Sequence, residues 1–340
     1  MATPRSIALK KPLTKIPARK KLASANPKKV SSKEDPVIGV VGLGIMGSSI
    51  ATNLLKSGFR VVGFDTSVDQ QKAMRKEGIK ILPTVEALAS ESQYIFTSLP
   101  SVGALKVVVA AIAKSGKKGI AVAELSTLPH EAKEEARAFL AKHQITFLDC
   151  PLSGTGAQAK TRDLAVYASG DQKTIDAMDH VFEGFARARY YVGEFGAGMK
   201  MKLVANLLVA IHNVSTAEAL LLGTRLGLDA KQIVDVIGDG AGSSRMFQVR
   251  APMMVKRNWD EATMKIEVWA KDMHLIGEAL KANAIPAPLF STTIPIYNAA
   301  SATGHDKDDT AVVYEVLEQW AKPISSKKSK NSKTTKKSKK

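Results

Sequence analysis

Two polar side chains four residues apart, Lys202 and Asn206, interrupt a long apolar stretch that lacks proline. A helix projects residues i and i+4 from one face, so the amine and the amide would point together. An apolar helix partly desolvates a lysine amine, which lowers its pKa and makes proton transfer near neutral pH feasible. The amide can hold the amine or a substrate hydroxyl in line. The pair predicts general acid/base chemistry, whereas Lys200 would point elsewhere.

A glycine-rich turn earlier in the chain consists of Gly42, Leu43, Gly44, Ile45, Met46 and Gly47. It follows an apolar run, 37–41, that predicts a buried strand, and it opens a helical pattern over 45–56. Gly42 permits a tight turn, Gly44 lets backbone amides approach a pyrophosphate, and Gly47 allows close helix–strand packing. The helix N-terminus adds unpaired N–H groups and the positive end of its dipole. The turn therefore predicts a dinucleotide site.

Asp65 stands at the end of the next apolar run, directly after residues 60–64, and lies 23 residues after Gly42. An acid here accepts hydrogen bonds from the adenosine ribose hydroxyls and repels a 2′-phosphate. Thr66 and Ser67 follow it rather than an arginine, so the sequence favours NAD over NADP. The alternative to a dinucleotide site is that Asp65 is a surface acid and the glycine turn is purely structural. That alternative does not explain why the strand, the glycines, the helix and the acid all occur at the positions of a dinucleotide-binding pattern.

Apolar runs alternate with helical patterns as far as residue 195, which is typical of an α/β domain with a doubly wound parallel sheet, the Rossmann arrangement. Candidate strands cover 37–41, 60–64, 79–82, 94–99, 120–124 and 146–148, with 163–169 and 189–192 as further candidates. After Gly196 the pattern becomes helical, beginning with one long interdomain helix over 198–227. We predict a nucleotide-binding domain over 36–195 and an all-helical substrate and dimerisation domain over 196–321.

Three later segments complete a pattern that resembles the β-hydroxyacid dehydrogenase family, which includes 3-hydroxyisobutyrate, tartronate semialdehyde and phosphogluconate dehydrogenases. The matching segments are 40–47 with Asn53 and Gly58 for the N-terminal signature, 149–155 for the substrate loop, 196–206 for the catalytic helix, and Lys271-Asp272 for a pair that closes the site. The resemblance spans Val37 to Glu318, nearly the whole chain between its basic ends.

The resemblance implies an NAD(P)-dependent oxidoreductase that converts a small β-hydroxy acid to its semialdehyde or ketone, or the reverse. Lys202 would take the hydroxyl proton while the carbinol carbon gives hydride to the nicotinamide. The substrate carboxylate would be held by Ser153, Gly154, Thr155 and Lys271. Besides the glycine turn, we assign the cofactor site to Asp65, Leu99, Pro100, Thr127 and Lys271.

Three departures from the family pattern bear on which substrate fits. Thr155 replaces the usual second glycine, Arg162-Asp163 replaces small residues, and Ala205 precedes Asn206 where paired asparagines are common. The run 243–250 resembles members that act on four-carbon sugar acids such as threonate. We expect a 3-hydroxyisobutyrate-like acid or a short sugar acid as the substrate.

Two other functions stay open. An imine or enamine reductase uses the same scaffold, although those relatives generally replace the catalytic lysine.

A non-catalytic, cofactor-binding protein that contacts nucleic acid is suggested by charge, because residues 1–35 hold ten basic and two acidic residues and 322–340 hold nine lysines. These tails account for the whole net charge of +17, so 36–321 is net neutral. We expect both tails to be disordered. The simplest alternative to the roles assigned above is that Lys202 and Lys271 are solvated charges on the surface of their helices.

Composition bounds the remaining possibilities. The chain has a single cysteine, Cys150, which excludes an intramolecular disulfide. We expect Cys150 to be a small, buried hydrophobic side chain. No metal-ligand spacing is present, so we expect no metal. No run approaches the roughly 18 consecutive apolar residues of a membrane span. We expect a cytoplasmic homodimer or homotetramer, with the mitochondrial matrix as the alternative if residues 1–35 are a presequence.

Overall fold

The computed structural model describes residues 36–321. The two basic tails, 1–35 and 322–340, and the disorder predicted for them lie outside the described residues. The chain divides into two compact units. The first runs to Leu207 and includes Lys271–Ala284, and the second comprises Leu208–Ala270 and the chain from Ile285.

A nine-stranded sheet forms the centre of the first unit. Its strands are β1 (Val37–Val41), β2 (Arg60–Phe64), β3 (Lys80–Ile81), β4 (Tyr94–Thr97), β5 (Ala121–Glu124), β6 (Thr146–Asp149), β7 (Leu152–Ser153), β8 (Ala165–Ser169) and β9 (Ala188–Gly193). The first six are parallel and lie in the order β3-β2-β1-β4-β5-β6, the doubly wound order. The predicted Rossmann fold class is confirmed.

The helices of the first unit cover both faces of the sheet. They are α1 (Ile45–Lys56), α2 (Val68–Lys76), α3 (Val85–Glu91), α4 (Val102–Lys114), α5 (His130–Ala141), α6 (Gly156–Lys160), α7 (Gln172–Ala177), α8 (Asp179–Glu183) and the start of α9 (Ala197–Arg225). Alternate residues of β1 pack into different cores, Ile38 and Val40 into one and Val37 and Val41 into the other. This period of two is what a strand buried on both faces requires.

The far edge of the sheet departs from parallel pairing. β8 runs parallel to β9, as the sequence suggested, but it is antiparallel to β6 and β7. The reason lies in the loop after Asp149, which turns the chain back so that Leu152 and Ser153 form a short strand against β8. Two-residue strands carry too little periodicity to be read from sequence.

The second unit is helical throughout the described residues. It holds the end of α9, then α10 (Ala230–Asp239), α11 (Arg245–Lys256), the start of α12 (Ile266–Ala282), α13 (Pro288–Ala302), a 3-10 turn (Thr310–Val312) and α14 (Val313–Trp320). A buried ion pair between Arg250 and Asp309 ties α11 to that turn. Asp309 also accepts the backbone N–H groups of Thr263 and Met264, so its charge is fully engaged.

One described helix, α9, is long and apolar enough to cross a membrane by length and composition, and 39% of its most apolar window is buried. Core helices of water-soluble proteins meet the same test. The helix also carries Lys202 and Asn206, which would be costly in hydrocarbon. Length and composition are therefore weak evidence for a membrane span here.

Candidate active site

The glycine turn lies between β1 and α1, at the carboxyl edge of the parallel sheet. A side chain at Gly42 (φ +88°) would meet the Ser98 carbonyl at 2.1 Å, and one at Gly47 would meet the Gly42 carbonyl at 1.8 Å. Both positions therefore require glycine. At Gly44, by contrast, an added Cβ would have nothing within 4 Å. The backbone there faces open space at the start of α1, which fits a bound pyrophosphate.

Asp65 fixes this turn from the end of β2. One carboxylate oxygen accepts the Leu43 N–H at 2.6 Å, and the other accepts the Ser67 N–H at 2.7 Å. The carboxylate is partly buried beside the glycine turn. An acid held there is positioned as the nucleotide-binding pattern predicts.

The other predicted cofactor residues follow neighbouring strands. Leu99 follows β4, and its N–H donates to the Ser126 hydroxyl at 2.7 Å in the segment after β5. The Thr127 carbonyl in that segment accepts from the Lys271 amine. Pro100 is exposed beside Leu99. Carboxyl ends of parallel strands share one edge, so these residues lie on the same edge as the glycine turn.

The predicted substrate loop begins at β7. Ser153 is half-buried, and within 36–321 its hydroxyl forms no hydrogen bond. Gly154 has φ +131°, and a Cβ there would meet Leu164 at 2.6 Å, so the loop requires glycine. The Thr155 N–H donates to the Gln158 side chain at 3.0 Å at the start of α6. The Thr155 amide is therefore engaged, and its substrate role stays a prediction.

Lys202 points into the first unit rather than to water. Its amine donates to the Leu152 carbonyl at 2.7 Å, one residue before Ser153. The residue is only 8% exposed, whereas Lys200 is exposed. Burial lowers the pKa of Lys202 below the usual 10.5, and the positive charge of Lys271 lowers it further, against the opposing effect of Asp272. A buried amine of this kind can exchange a proton.

Asn206 and Lys271 meet at Asp272. The Asn206 amide donates to Asp272 at 2.8 Å, and the Lys271 amine lies 3.5 Å from the same carboxylate. Burial raises the pKa of Asp272 above its usual value, although Lys271 and Lys202 oppose that shift. The sequence placed Asp272 in a motif without giving it a role, because a contact 66 residues away from Asn206 has no local signal.

A second group of buried charges was missed by the sequence analysis. Lys133 on α5 pairs with Glu124 at the end of β5 and Asp149 at the end of β6, and all three side chains are fully buried. The sequence signal that could have indicated this group is that two acids, Glu124 and Asp149, each stand at the end of an apolar run. Nearby Cys150 is buried, and burial raises the pKa of its thiol, which leaves it unreactive as expected. Residues 36–321 contain no group of three or more potential metal ligands.

Comparison with known proteins covers both units. Residues 37–193 match the family model described as the NAD binding domain of 6-phosphogluconate dehydrogenase. Residues 196–317 match the one described as NAD-binding of NADP-dependent 3-hydroxyisobutyrate dehydrogenase.

Individual relatives match nearly end to end. L-threonate dehydrogenase of Cupriavidus necator is 30% identical over 82% of this chain and 95% of the relative. 2-(Hydroxymethyl)glutarate dehydrogenase of Eubacterium barkeri is 28% identical over 83% and 95%. The crystal structure of 3-hydroxyisobutyrate dehydrogenase from Salmonella typhimurium superposes with a TM-score of 0.76 at 27% identity, covering 83% of this chain and all of that one.

Proposed function

Because the chain belongs to the β-hydroxyacid dehydrogenase family, and so is an NAD(P)-dependent oxidoreductase acting on CH–OH, we propose that it interconverts a short β-hydroxy acid and its carbonyl product with Lys202 as general acid/base. One observation carries the proposal. The Lys202 amine is buried against the Leu152 carbonyl, beside the predicted carboxylate-binding loop, and its pKa is lowered.

The proposed mechanism assigns each side chain a task. A bound nicotinamide would supply the hydride acceptor for oxidation and the hydride donor for reduction. The neutral Lys202 amine takes the hydroxyl proton, and the ammonium returns it in reduction. Asn206, held by Asp272, orients the amine or the substrate hydroxyl. Ser153 and Gly154 donate to the substrate carboxylate, and Lys271 supplies positive charge.

The residues present fit a dinucleotide. Gly44 offers an open backbone surface at the N-terminus of α1, and Asp65 stands at the end of β2 where ribose hydroxyls are recognised. We propose NAD as the cofactor in preference to NADP, because the Asp65 carboxylate would repel a 2′-phosphate.

We expect the purified enzyme to reduce NAD with at least one of L-threonate, 3-hydroxyisobutyrate and 2-(hydroxymethyl)glutarate, the substrates named by its relatives. NADH absorbance follows the reaction, and lactate, a 2-hydroxy acid, is the control. A cyclic imine with NADPH tests the imine reductase alternative. Reduction of the imine together with inactivity on every hydroxy acid would contradict the proposal.

Ser153→Ala is expected to raise KM for the hydroxy acid about 10- to 100-fold with a smaller effect on kcat. A hydrogen bond to a charged group is worth about 1.5–3 kcal/mol, and this one serves binding in both ground and transition states. Steady-state kinetics check it, with Ser90→Ala on α3 as a control because that hydroxyl donates only within its own helix. An unchanged KM would remove Ser153 from the substrate site.

Assembly and location are further proposals. A homodimer or homotetramer is supported by apolar side chains exposed on α9, such as Met201 and Val204. We keep the predicted domains, 36–195 and 196–321, and a cytoplasmic location as proposals, with the mitochondrial matrix as the alternative. Nucleic-acid contact through the basic tails is supported by charge alone, and would be a second role beside catalysis.

A further inference from the structure

The buried charges of Lys133, Glu124 and Asp149 lie behind the candidate active site and take no part in the proposed mechanism. Glu124 and Asp149 are paired residues at the ends of adjacent parallel strands, β5 and β6. Like charges directly opposite each other in a sheet repel, and burial increases the cost. A cation between them offsets this repulsion, and Lys133 supplies it from α5.

Lys133 is held by two hydrogen bonds and one ion pair. Its ammonium donates to the Ser126 carbonyl at 2.7 Å and to Asp149 Oδ1 at 2.7 Å, and its nitrogen lies 2.8 Å from Glu124 Oε2 in an ion pair without hydrogen-bond geometry. Burial alone would lower the pKa of Lys133, but the two carboxylates outweigh it and raise the pKa above its usual value. Lys133 is therefore a permanent charge with fixed geometry, which suits a positioning role rather than proton transfer.

One arm of this cluster reaches the catalytic helix. The second Asp149 oxygen accepts the Met199 N–H at 2.8 Å. The Ser169 hydroxyl accepts the Gly198 N–H at 2.9 Å and donates to the Asp149 carbonyl at 2.9 Å. Two carboxylates and one ammonium leave a net negative charge, which the positive end of α9 offsets. Lys202 follows Met199 by three residues, less than one helical turn.

The other arm reaches the cofactor segments. The remaining Glu124 oxygen accepts the Ser126 N–H at 3.0 Å, and the Ser126 hydroxyl accepts the Leu99 N–H at 2.7 Å. The next carbonyl, of Thr127, accepts from Lys271. The segments after β4 and β5, which carry predicted cofactor residues, are thus fixed to the same ammonium as the start of α9.

We propose that Lys133 is a positioning residue that sets the distance between the Lys202 amine and the nicotinamide by joining the start of α9 to the segments after β4 and β5. The proposal rests on the proposed function of Lys202. Proton and hydride transfer need reacting atoms held within a few tenths of an ångström, and a displacement of about 1 Å costs about a hundredfold in rate. All three side chains of the cluster are fully buried, so we expect it to act through the geometry of the segments it joins.

The variant must remove the ammonium without changing the net charge of the buried group. Lys133→Met alone leaves two buried carboxylates facing each other and is expected to fold poorly. The double variant Lys133→Met with Glu124→Gln leaves Asp149 alone, still bonded to the Met199 N–H, and is expected to fold. The matched control is Arg137→Met with Glu134→Gln, which removes an exposed ion pair from the same helix.

In the folded double variant we expect kcat with NAD and the active hydroxy acid to fall about a hundredfold, with KM values changed about threefold at most. Hydrogen–deuterium exchange without ligands should accelerate at Gly198, Met199 and Ser126 but not in β1. The control should match wild type in both. A kcat within threefold of wild type, or uniformly accelerated exchange, would overturn the proposal. If wild type turns over no hydroxy acid, the proposed function fails, and the exchange pattern alone decides the positioning claim.

Discussion

Lys202→Met is expected to lower kcat for hydroxy-acid oxidation by about 10²- to 10⁴-fold, the range that a positioned general base contributes. Methionine has similar length and no ionisable group, so it fills the buried space without accepting a proton. The fold should survive, because the loss is confined to one hydrogen bond to the Leu152 carbonyl, about 1–3 kcal/mol for the acceptor left unpaired. NADH binding, measured by fluorescence, should stay near the wild-type value.

The control for this prediction is Lys200→Met, which removes the same charge from an exposed position two residues earlier on α9. We expect its kcat to match wild type. A Lys202→Met enzyme that kept more than a tenth of wild-type kcat would exclude Lys202 as the general base and leave the buried amine a structural group.

The second large effect is expected for Asp65→Ser on cofactor choice. Like-charge juxtaposition costs several kcal/mol, so wild type should prefer NAD to NADP by roughly 10²- to 10³-fold in kcat/KM. Serine removes the charge that opposes the 2′-phosphate, and the preference should shrink by at least about tenfold. We also expect some loss of NAD activity in this variant. The Asp65 carboxylate accepts hydrogen bonds from the Leu43 and Ser67 N–H groups, and its removal disturbs the turn that they hold.

Initial rates with both cofactors for wild type, Asp65→Ser and Asp69→Ser check this prediction. Asp69 is exposed in the first turn of α2 and carries the same charge four residues later, so its replacement controls for net charge. Equal use of NAD and NADP by wild type would show that Asp65 does not select the cofactor. The choice between NAD and NADP needs this measurement because the family model that matches 196–317 is described as that of an NADP-dependent enzyme.

Local patterns predicted those parts of the protein whose causes are local. The strand 37–41, the helix 45–56 and the strand 60–64 have the bounds that their apolar periodicity indicates. The glycine turn was predictable because backbone contacts at Gly42 and Gly47 exclude any side chain. The shared face of Lys202 and Asn206 followed from helical spacing, and both side chains are buried.

Long-range pairing accounts for what the sequence did not predict. The contact between Asn206 and Asp272 joins two helices, and the charges around Lys133 depend on the register of β5 with β6. Register is set by packing across the sheet, which one sequence does not display. The hydrogen bond from the Thr155 N–H to Gln158 is local, but it was missed because the sequence analysis assigned Thr155 to the substrate carboxylate.

The pH dependence of kcat/KM, measured in both directions for wild type and Lys202→Met, tests the proton-transfer role of Lys202 most directly. Oxidation needs the neutral amine, so its rate should rise with pH and level off above a pKa lower than the usual 10.5 for lysine. Reduction needs the ammonium and should fall through the same pKa. In Lys202→Met both dependences should disappear. Persistence of the rising limb in the variant would assign the titration to another group and contradict the mechanism.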